Sequence, residues 1–388
     1  MAFAAFTIFA WTLLLPQPVG AENDPDLDIV SKYYIVIDAE TGEVFAQRGA
    51  HDKVAPASLT KIFTSIEAIE EAPPDYQIIT SEADLVELDA TQVGFGPGET
   101  FTLNDLIFGM MLPSGNDAAR AVARVMGTQE GDTAEVAVGR FIERVNQRLR
   151  DMGLTETNLV NPDGWGVPGH WSSAHDIAAF TMYALRYPRF VEAISTETYE
   201  TSTGDYRFVN TNKRLGVDDD LIGGKTGYDD TAGYCLMQVA RRGDDTMIAV
   251  TLDGVAPDVW YDDNRALLDY AFEQKAARGS SPGRGADVVR YLDPDAAVIV
   301  RMSTTSASIG PPGNLVRLSG EPAIDATAPL QPTIDPAIAD HSVATTTQGY
   351  PATSANGLAT AILVTVVLTG ASALRLQRTD PTRYHPVN

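Results

Sequence analysis

An α+β fold is what the sequence predicts, and three observations predict it. Strand-like runs stand near both ends of the patterned region, at Tyr33 to Ile37 and Glu43 to Gln47, then at Gly233 to Arg241 and Thr246 to Leu252. Between them the apolar residues follow a helical period, most plainly over Thr133 to Met152. A last helical stretch, Asp258 to Lys275, closes the region, so strands and a terminal helix enclose a helical middle.

In chain order, Tyr33 to Ile37 is rich in β-formers, Asp38 to Gly42 carries turn residues, and Glu43 to Gln47 resumes the alternation, which together read as a hairpin. Pro56 stops any strand before a helix expected from about Ser58 to Glu71, and Pro73 and Pro74 end that helix. Residues 78–98 hold only short elements and finish in a glycine-rich turn. Leu103 to Leu112 is a helix by period, capped by Thr102 or Asn104, and Pro113 interrupts it. Ser114 and Asn116 then fall on a tight connection before a helix from Asp117 to Met126. Thr133 to Met152 is amphipathic through Ala134, Val138, Phe141, Ile142, Val145 and Leu149, and its arginines read as a solvated face. Asn161 to Gly166 is a rigid turn expected to shape a cleft, and Ser172 to Asp176 begins another helix. Lys225 to Gly227 lies on a strand ahead of the 233–252 hairpin, with Gly227 allowing close approach of a ligand.

Composition bounds the function. A formal net charge of -24 would repel phosphates, so no nucleic acid is expected as a partner. The single cysteine, Cys235, excludes an intramolecular disulfide and sits in an apolar run as a small buried residue. The five histidines are scattered; His170 and His175 flank a helix start with no recognisable acid or metal partner, and no metal-ligand cluster or cofactor is expected.

Met1 to Ala21 has an apolar run followed by Val19-Gly20-Ala21, small residues of the kind a signal peptidase reads, although no basic residue precedes the run. Residues 342–374 carry no charged side chain, and the 18 residues from Gly357 to Leu374 would span about 27 Å as a helix, close to the hydrocarbon thickness. Arg375, Arg378 and Arg383 follow, which would leave the tail in the cytoplasm. The expected domains are a signal peptide over 1–21, a catalytic domain over 22–277, a linker or stalk rich in Pro, Ala, Thr and Ser over 278–350, a transmembrane anchor over 351–374 and a cytoplasmic tail over 375–388. A vestigial β-module, with Val298 to Met302 as a strand, is the second reading of the linker.

Chemistry is concentrated in three motifs. Ser58 and Lys61 are one helical turn apart, which brings an amine within reach of a hydroxyl. Only six of the 28 basic residues are lysine, so a lysine at position 61 stands against the bias of the chain, and arginine could not serve as a base there. Ser114-Gly115-Asn116 and Lys225-Thr226-Gly227 follow in order. Ser-x-x-Lys, Ser-x-Asn and Lys-Thr-Gly form the signature of penicillin-binding proteins and class A β-lactamases.

With their flanks, Ala57 to Lys61, Met111 to Ala119, and Gly224 to Tyr228 with Ala232 to Leu236, these motifs resemble the D-alanyl-D-alanine carboxypeptidase family of low-molecular-mass penicillin-binding proteins, over about residues 28–275. The resemblance implies the penicillin-binding or β-lactamase-like fold, an antiparallel sheet flanked by helices plus a helical lobe, with the cleft between them. It implies that Ser58 is the nucleophile, Lys61 its base and Ser114 a proton relay, with Asn116 holding the substrate amide and Lys61. Lys225 and Thr226 would take the terminal carboxylate beside Gly227, and the backbone N–H groups of Ser58 and Tyr228 would form the oxyanion hole. The implied substrate is the peptidoglycan stem peptide and the implied inhibitors are β-lactams. A membrane-anchored enzyme facing the cell wall is expected. No Glu-x-x-x-Asn element lies between Asn116 and Lys225, which argues against a β-lactamase. An endopeptidase on the same fold also fits the motifs. A non-catalytic wall-binding or sensor module fits them less well, because binding alone would not need both Ser58 and Lys61.

Overall fold

The computed structural model describes residues 25–279 and 287–294. The elements run β1 (Tyr33–Asp38), β2 (Val44–Arg48), α1 (Thr60–Glu71), β3 (Gln77–Ile79), β4 (Thr100–Thr102), α2 (Leu103–Met111), α3 (Asn116–Gly127) and α4 (Ala134–Asp151). They continue with α5 (Ala174–Ala184), α6 (Pro188–Ser195), β5 (Thr198–Glu200), β6 (Arg207–Val209), β7 (Leu221–Asp229), β8 (Gly233–Arg242), β9 (Asp245–Gly254) and α7 (Val259–Arg278).

The first hairpin turns where Asp38 Oδ1 accepts the N–H groups of Glu40 and Thr41 at 2.8 and 2.9 Å, and Gly42 takes a φ of +73°. β1 then pairs with β9 as well as β2, so the amino-terminal hairpin joins the carboxy-terminal strands in one antiparallel sheet, ordered β2-β1-β9-β8-β7. Sheet residues alternate between two cores. Tyr34, Val36 and Phe45 pack with Leu267, Leu268 and Phe272 of α7, whereas Ile35, Ile37 and Val250 face Phe63 of α1 and Phe180 of α5. Burial on both faces explains why Tyr34 to Ile37 is apolar without a break.

The helices begin where the caps predict. Thr102 and Asp105 form a reciprocal capping box at α2, and the hydroxyls of Thr133 and Ser173 cap α4 and α5. The expectation of a solvated arginine face on α4 needs correction. Arg144 and Arg148 reach Glu67 on α1 at 3.2 and 2.8 Å, and Glu67 is buried. A buried carboxylate requires such partners, so these arginines join two helices of the lobe. The β3–β4 and β5–β6 pairs and α6 carry too little pattern to be read from sequence.

Part of the stretch expected as linker meets the body. Residues 287–294 pack back on the catalytic body: Val44 N–H donates to Asp287 O, Val289 N–H to Gly42 O and Leu292 N–H to Met152 O, and Val289 is buried. The expected signal peptide, the 298–302 strand, the transmembrane anchor and the tail lie outside the described residues. Among the described residues, no helix is long and apolar enough to cross a membrane.

Candidate active site

Ser58 lies at the centre of a 3-10 turn, Ala57 to Leu59, that leads directly into α1, so the α-helix begins two residues after the start expected at Ser58. Ala57 takes a φ of +47°, a strained value for a residue with a side chain. The turn is over-determined by its neighbours. Thr60 Oγ1 donates to Ala57 O at 2.9 Å, and a Cβ on Gly164 would stand 1.9 Å from that same carbonyl oxygen. A Cβ on Gly227 would stand 3.0 Å from Ser58 N, so β7 passes against the turn at a distance only glycine permits comfortably.

Lys61 is the group the site is built on. Its Nζ donates to Ser58 Oγ at 2.9 Å, to Asn116 Oδ1 at 2.7 Å and to the main-chain oxygen of Asp163 at 2.6 Å. Three acceptors match the three protons of an ammonium. The side chain is fully buried, and burial pushes its pKa down to about 8 against the pull of the Asp163 and Asp117 carboxylates; the Arg120 guanidinium adds to the lowering. Burial is therefore complete where partial burial was expected, and Arg120 is a repelling cation that the sequence alone does not indicate.

Ser114 follows α2 and Asn116 is the first residue of α3, so the Ser-x-Asn motif straddles a connection and a helix start. Ser114 has a φ of +68°, left-handed and strained, which turns its hydroxyl towards β7. Lys225 Nζ donates to Ser114 Oγ and to Thr226 O, both at 2.9 Å. Burial, then repulsion from Lys61, holds the Lys225 pKa well below the usual lysine range. Lys225 is buried and its ammonium is aimed at Ser114, whereas the sequence reading aimed it at a ligand carboxylate. The hydroxyls of Thr226 and Thr211, 2.6 Å apart, are among the polar groups of this region that reach the cleft, with Asn210 and Lys213 beside them. Ser58, Ser114, Thr226, Gly227 and Tyr228 line that cleft, and Tyr234, Trp260 and Tyr261 extend it as an aromatic wall.

Sequence reasoning missed the outer contacts. Asp163, treated as part of a shaping turn, supplies both a carbonyl for Lys61 and a buried carboxylate that accepts from Arg120 Nε at 3.0 Å. Asp117 holds residues 93–94 through the N–H groups of Val93 and Gly94 at 2.9 and 2.8 Å. His170 is buried, accepts from Val160 N–H on Nδ1 at 3.1 Å, and so carries its proton on Nε2, 2.8 Å from Thr60 Oγ1. Burial pushes its pKa down to about 4. His170 thus ties the loop bearing Asp163 to the Ser58 turn. An Asn-Pro-x-Gly turn a hundred residues from the nucleophile was the available signal, but only tertiary contact reveals what it touches.

The histidines correct a further expectation. His51 and His175 converge on Glu156, so three residues able to act as ligands stand together although the histidines are scattered in sequence.

Comparison with known proteins gives the family and the fold. The D-alanyl-D-alanine carboxypeptidase family, peptidase S11, matches residues 19–256, more than half of the chain. A D-alanyl-D-alanine carboxypeptidase of Bacillus subtilis, DacF, is 31% identical over 252 residues, covering 63% of this chain and 62% of its own length. The chain thus spans less than two thirds of that relative. A D-alanyl-D-alanine carboxypeptidase of Mycobacterium tuberculosis is 28% identical over 263 residues, 66% of this chain and 86% of the relative. Among solved structures, a Streptomyces DD-transpeptidase superposes with a TM-score of 0.60 at 28% identity, over 64% of this chain and 99% of its own.

Proposed function

The chain belongs to the D-alanyl-D-alanine carboxypeptidase family, and from that premise we propose that it removes the terminal D-alanine from peptidoglycan stem peptides through an acyl-enzyme on Ser58. One observation carries the reading: a fully buried lysine amine, with its pKa lowered to about 8, stands 2.9 Å from the Ser58 hydroxyl. A base must be partly neutral at working pH, and this amine is.

Ser58 Oγ attacks the penultimate carbonyl while Lys61 Nζ takes its proton. The oxyanion develops towards the N–H groups of Ser58 and Tyr228, on the turn and strand that Gly227 lets approach. Asn116 keeps the amine of Lys61 in place and holds the substrate amide. The leaving D-alanine nitrogen receives a proton by way of Ser114, whose oxygen is polarised by Lys225. Thr226, with Thr211, offers hydroxyls to the terminal carboxylate, and the cation of Lys225 lies behind them. Water then hydrolyses the ester and regenerates Ser58. β-Lactams would enter the same sequence and stop at the acyl-enzyme.

Incubation with benzylpenicillin should add the drug's mass once per chain, and a pentapeptide should yield free D-alanine; both should vanish in Ser58→Ala. Peptide binding without either event would sink the proposal in favour of a non-catalytic module. The Streptomyces neighbour is described as a transpeptidase, which favours a second fate for the acyl-enzyme, capture by an amine. Adding an acceptor amine and comparing the products separates the two.

The uncharged segment from 342 to 374 and the arginines after it support a membrane anchor over 351–374 with a cytoplasmic tail over 375–388. With a cleaved signal over 1–21 and a stalk between body and anchor, the catalytic domain would face the cell wall. Protease treatment of intact cells should release an active soluble fragment if this topology is right.

A further inference from the structure

Away from the cleft, three segments meet on one carboxylate. His51 follows β2, Glu156 lies in the turn region after α4, and His175 is the second residue of α5. His51 Nδ1 stands 3.0 and 3.2 Å from the two oxygens of Glu156, and His175 Nδ1 stands 3.8 Å from Glu156 Oε2. The two imidazole rings lie against each other with centroids 4.6 Å apart. One potential ligand atom from each residue falls within 4.8 Å of the others. We propose that His51, Glu156 and His175 form a binding site for a divalent transition-metal ion of the zinc class.

Two imidazoles and one carboxylate are a nitrogen-rich set, suited to zinc, cobalt, nickel or copper and ill suited to calcium or magnesium. Ligand atoms held tetrahedrally at about 2.0–2.1 Å from a zinc ion stand roughly 3.3 Å from one another. The His51–Glu156 pair already has that spacing, and the His175 ring needs only a small closure. Neighbouring groups orient the set, as metal sites require. Ser173 Oγ donates to Glu156 Oε2 at 2.7 Å and so orients the carboxylate, whereas the 3.1 Å contact of His175 Nδ1 with Asp176 Oδ1 is one that the ion replaces when that nitrogen becomes a ligand. Asp176 is itself fixed, its Oδ2 accepting from Glu156 N–H and Thr157 Oγ1 at 2.9 Å each. The side towards solvent opens into a depression lined by Gln47, Asp287 and Val289 beside the two histidines, which leaves room for water as a further ligand.

The site's position gives the ion a role. The segment after His51 leads to Ser58 and bridges to Ser172 at Val54, while the segment after Glu156 leads to Asp163, whose carbonyl holds Lys61. A bound ion would fasten both approaches to α5 without touching the cleft. It acts as a staple, and its contribution grows with ion concentration, since it binds the folded state and the unfolded chain lacks the assembled set.

The full chain, stripped with a chelator and dialysed, is titrated with zinc, and in parallel with cobalt to read the visible absorption of the bound ion. About one ion per chain is expected, with the d–d bands of four- or five-coordinate cobalt. The zinc should raise the thermal midpoint. His51→Ala and Glu156→Gln should lose the bands and the rise. His51 is half exposed, so its alanine variant should fold, and an unchanged rate of penicillin acylation will verify that. The proposal is overturned if the wild type binds no cobalt, or if the bands and the thermal shift persist in His51→Ala. Either result leaves acylation of Ser58 intact, so the staple and the cleft chemistry fail separately.

Discussion

At Lys61 a single side chain has to be buried, basic and bonded at once. Its amine is neutral for part of its time near neutral pH because burial disfavours the ammonium. Acylation by a fluorescent penicillin should therefore accelerate as pH rises through about 8, where the neutral base becomes the main form. Lys61→Arg cannot lose its proton, and its acylation rate should drop by about 10²-fold or more at neutral pH. A rate near that of the wild type would remove Lys61 from its role. Ser114 makes a different demand. Its hydroxyl is one of two acceptors for the buried Lys225 ammonium, so Ser114→Ala should cost about 1–3 kcal/mol in urea unfolding besides slowing acylation. Unchanged stability would mean that Lys225 finds another partner.

The element that decides the site is the loop from Leu154 to His170, together with the 3-10 turn it leans on. Gly164 has a φ of +87° and no room for a Cβ, because Ala57 O would lie 1.9 Å away. Gly164→Ala is expected to destabilise the protein by at least about 2 kcal/mol, from left-handed strain plus the displaced turn, and to abolish acylation before it abolishes folding. Circular dichroism with penicillin labelling distinguishes the two losses; full labelling of a folded Gly164→Ala protein would refute the close packing. The same logic explains Gly227, which has an ordinary φ but a neighbour, Ser58 N, that a side chain would crowd. The proposed mechanism thus depends on backbone approach at two glycines as well as on the reactive side chains.

For the whole molecule, the buried basic groups set the pH profile of stability. His170 has its folded pKa lowered from 6.5 to about 4, so its neutral form's contribution is complete above 6.5 and is lost as pH falls towards 4, where the unfolded chain binds the extra proton. Lys61 works in the same direction higher up: its folded pKa near 8 lies below the ordinary 10.5, so the penalty of burying its charge is relieved as pH rises from 8 to 10.5. Thermal midpoints should thus climb with pH in both windows. A His170→Gln variant should flatten the lower slope selectively; an unaltered slope would assign the acid lability to other groups, the lowered Asp38 and Asp105 carboxylates among them.

Some of this was legible in residues alone. The hairpin at 33–47, the helices at 103–112 and 133–152, and the closing strands and helix are local patterns of period, cap and turn, which the chain carries wherever it is folded. The three motifs likewise announced a serine, a lysine and their companions, because the chemistry demands those residue types at those spacings. What tertiary structure decided is which partner each group meets. Lys225 turns to Ser114, Asp163 lends its carbonyl to Lys61, Arg144 and Arg148 serve Glu67, residues 287–294 return to the body, and two distant histidines share Glu156. A periodic pattern encodes neighbours three or four residues away, whereas these contacts join positions separated by tens to hundreds of residues, and only the packing of the sheet against its helices brings them together.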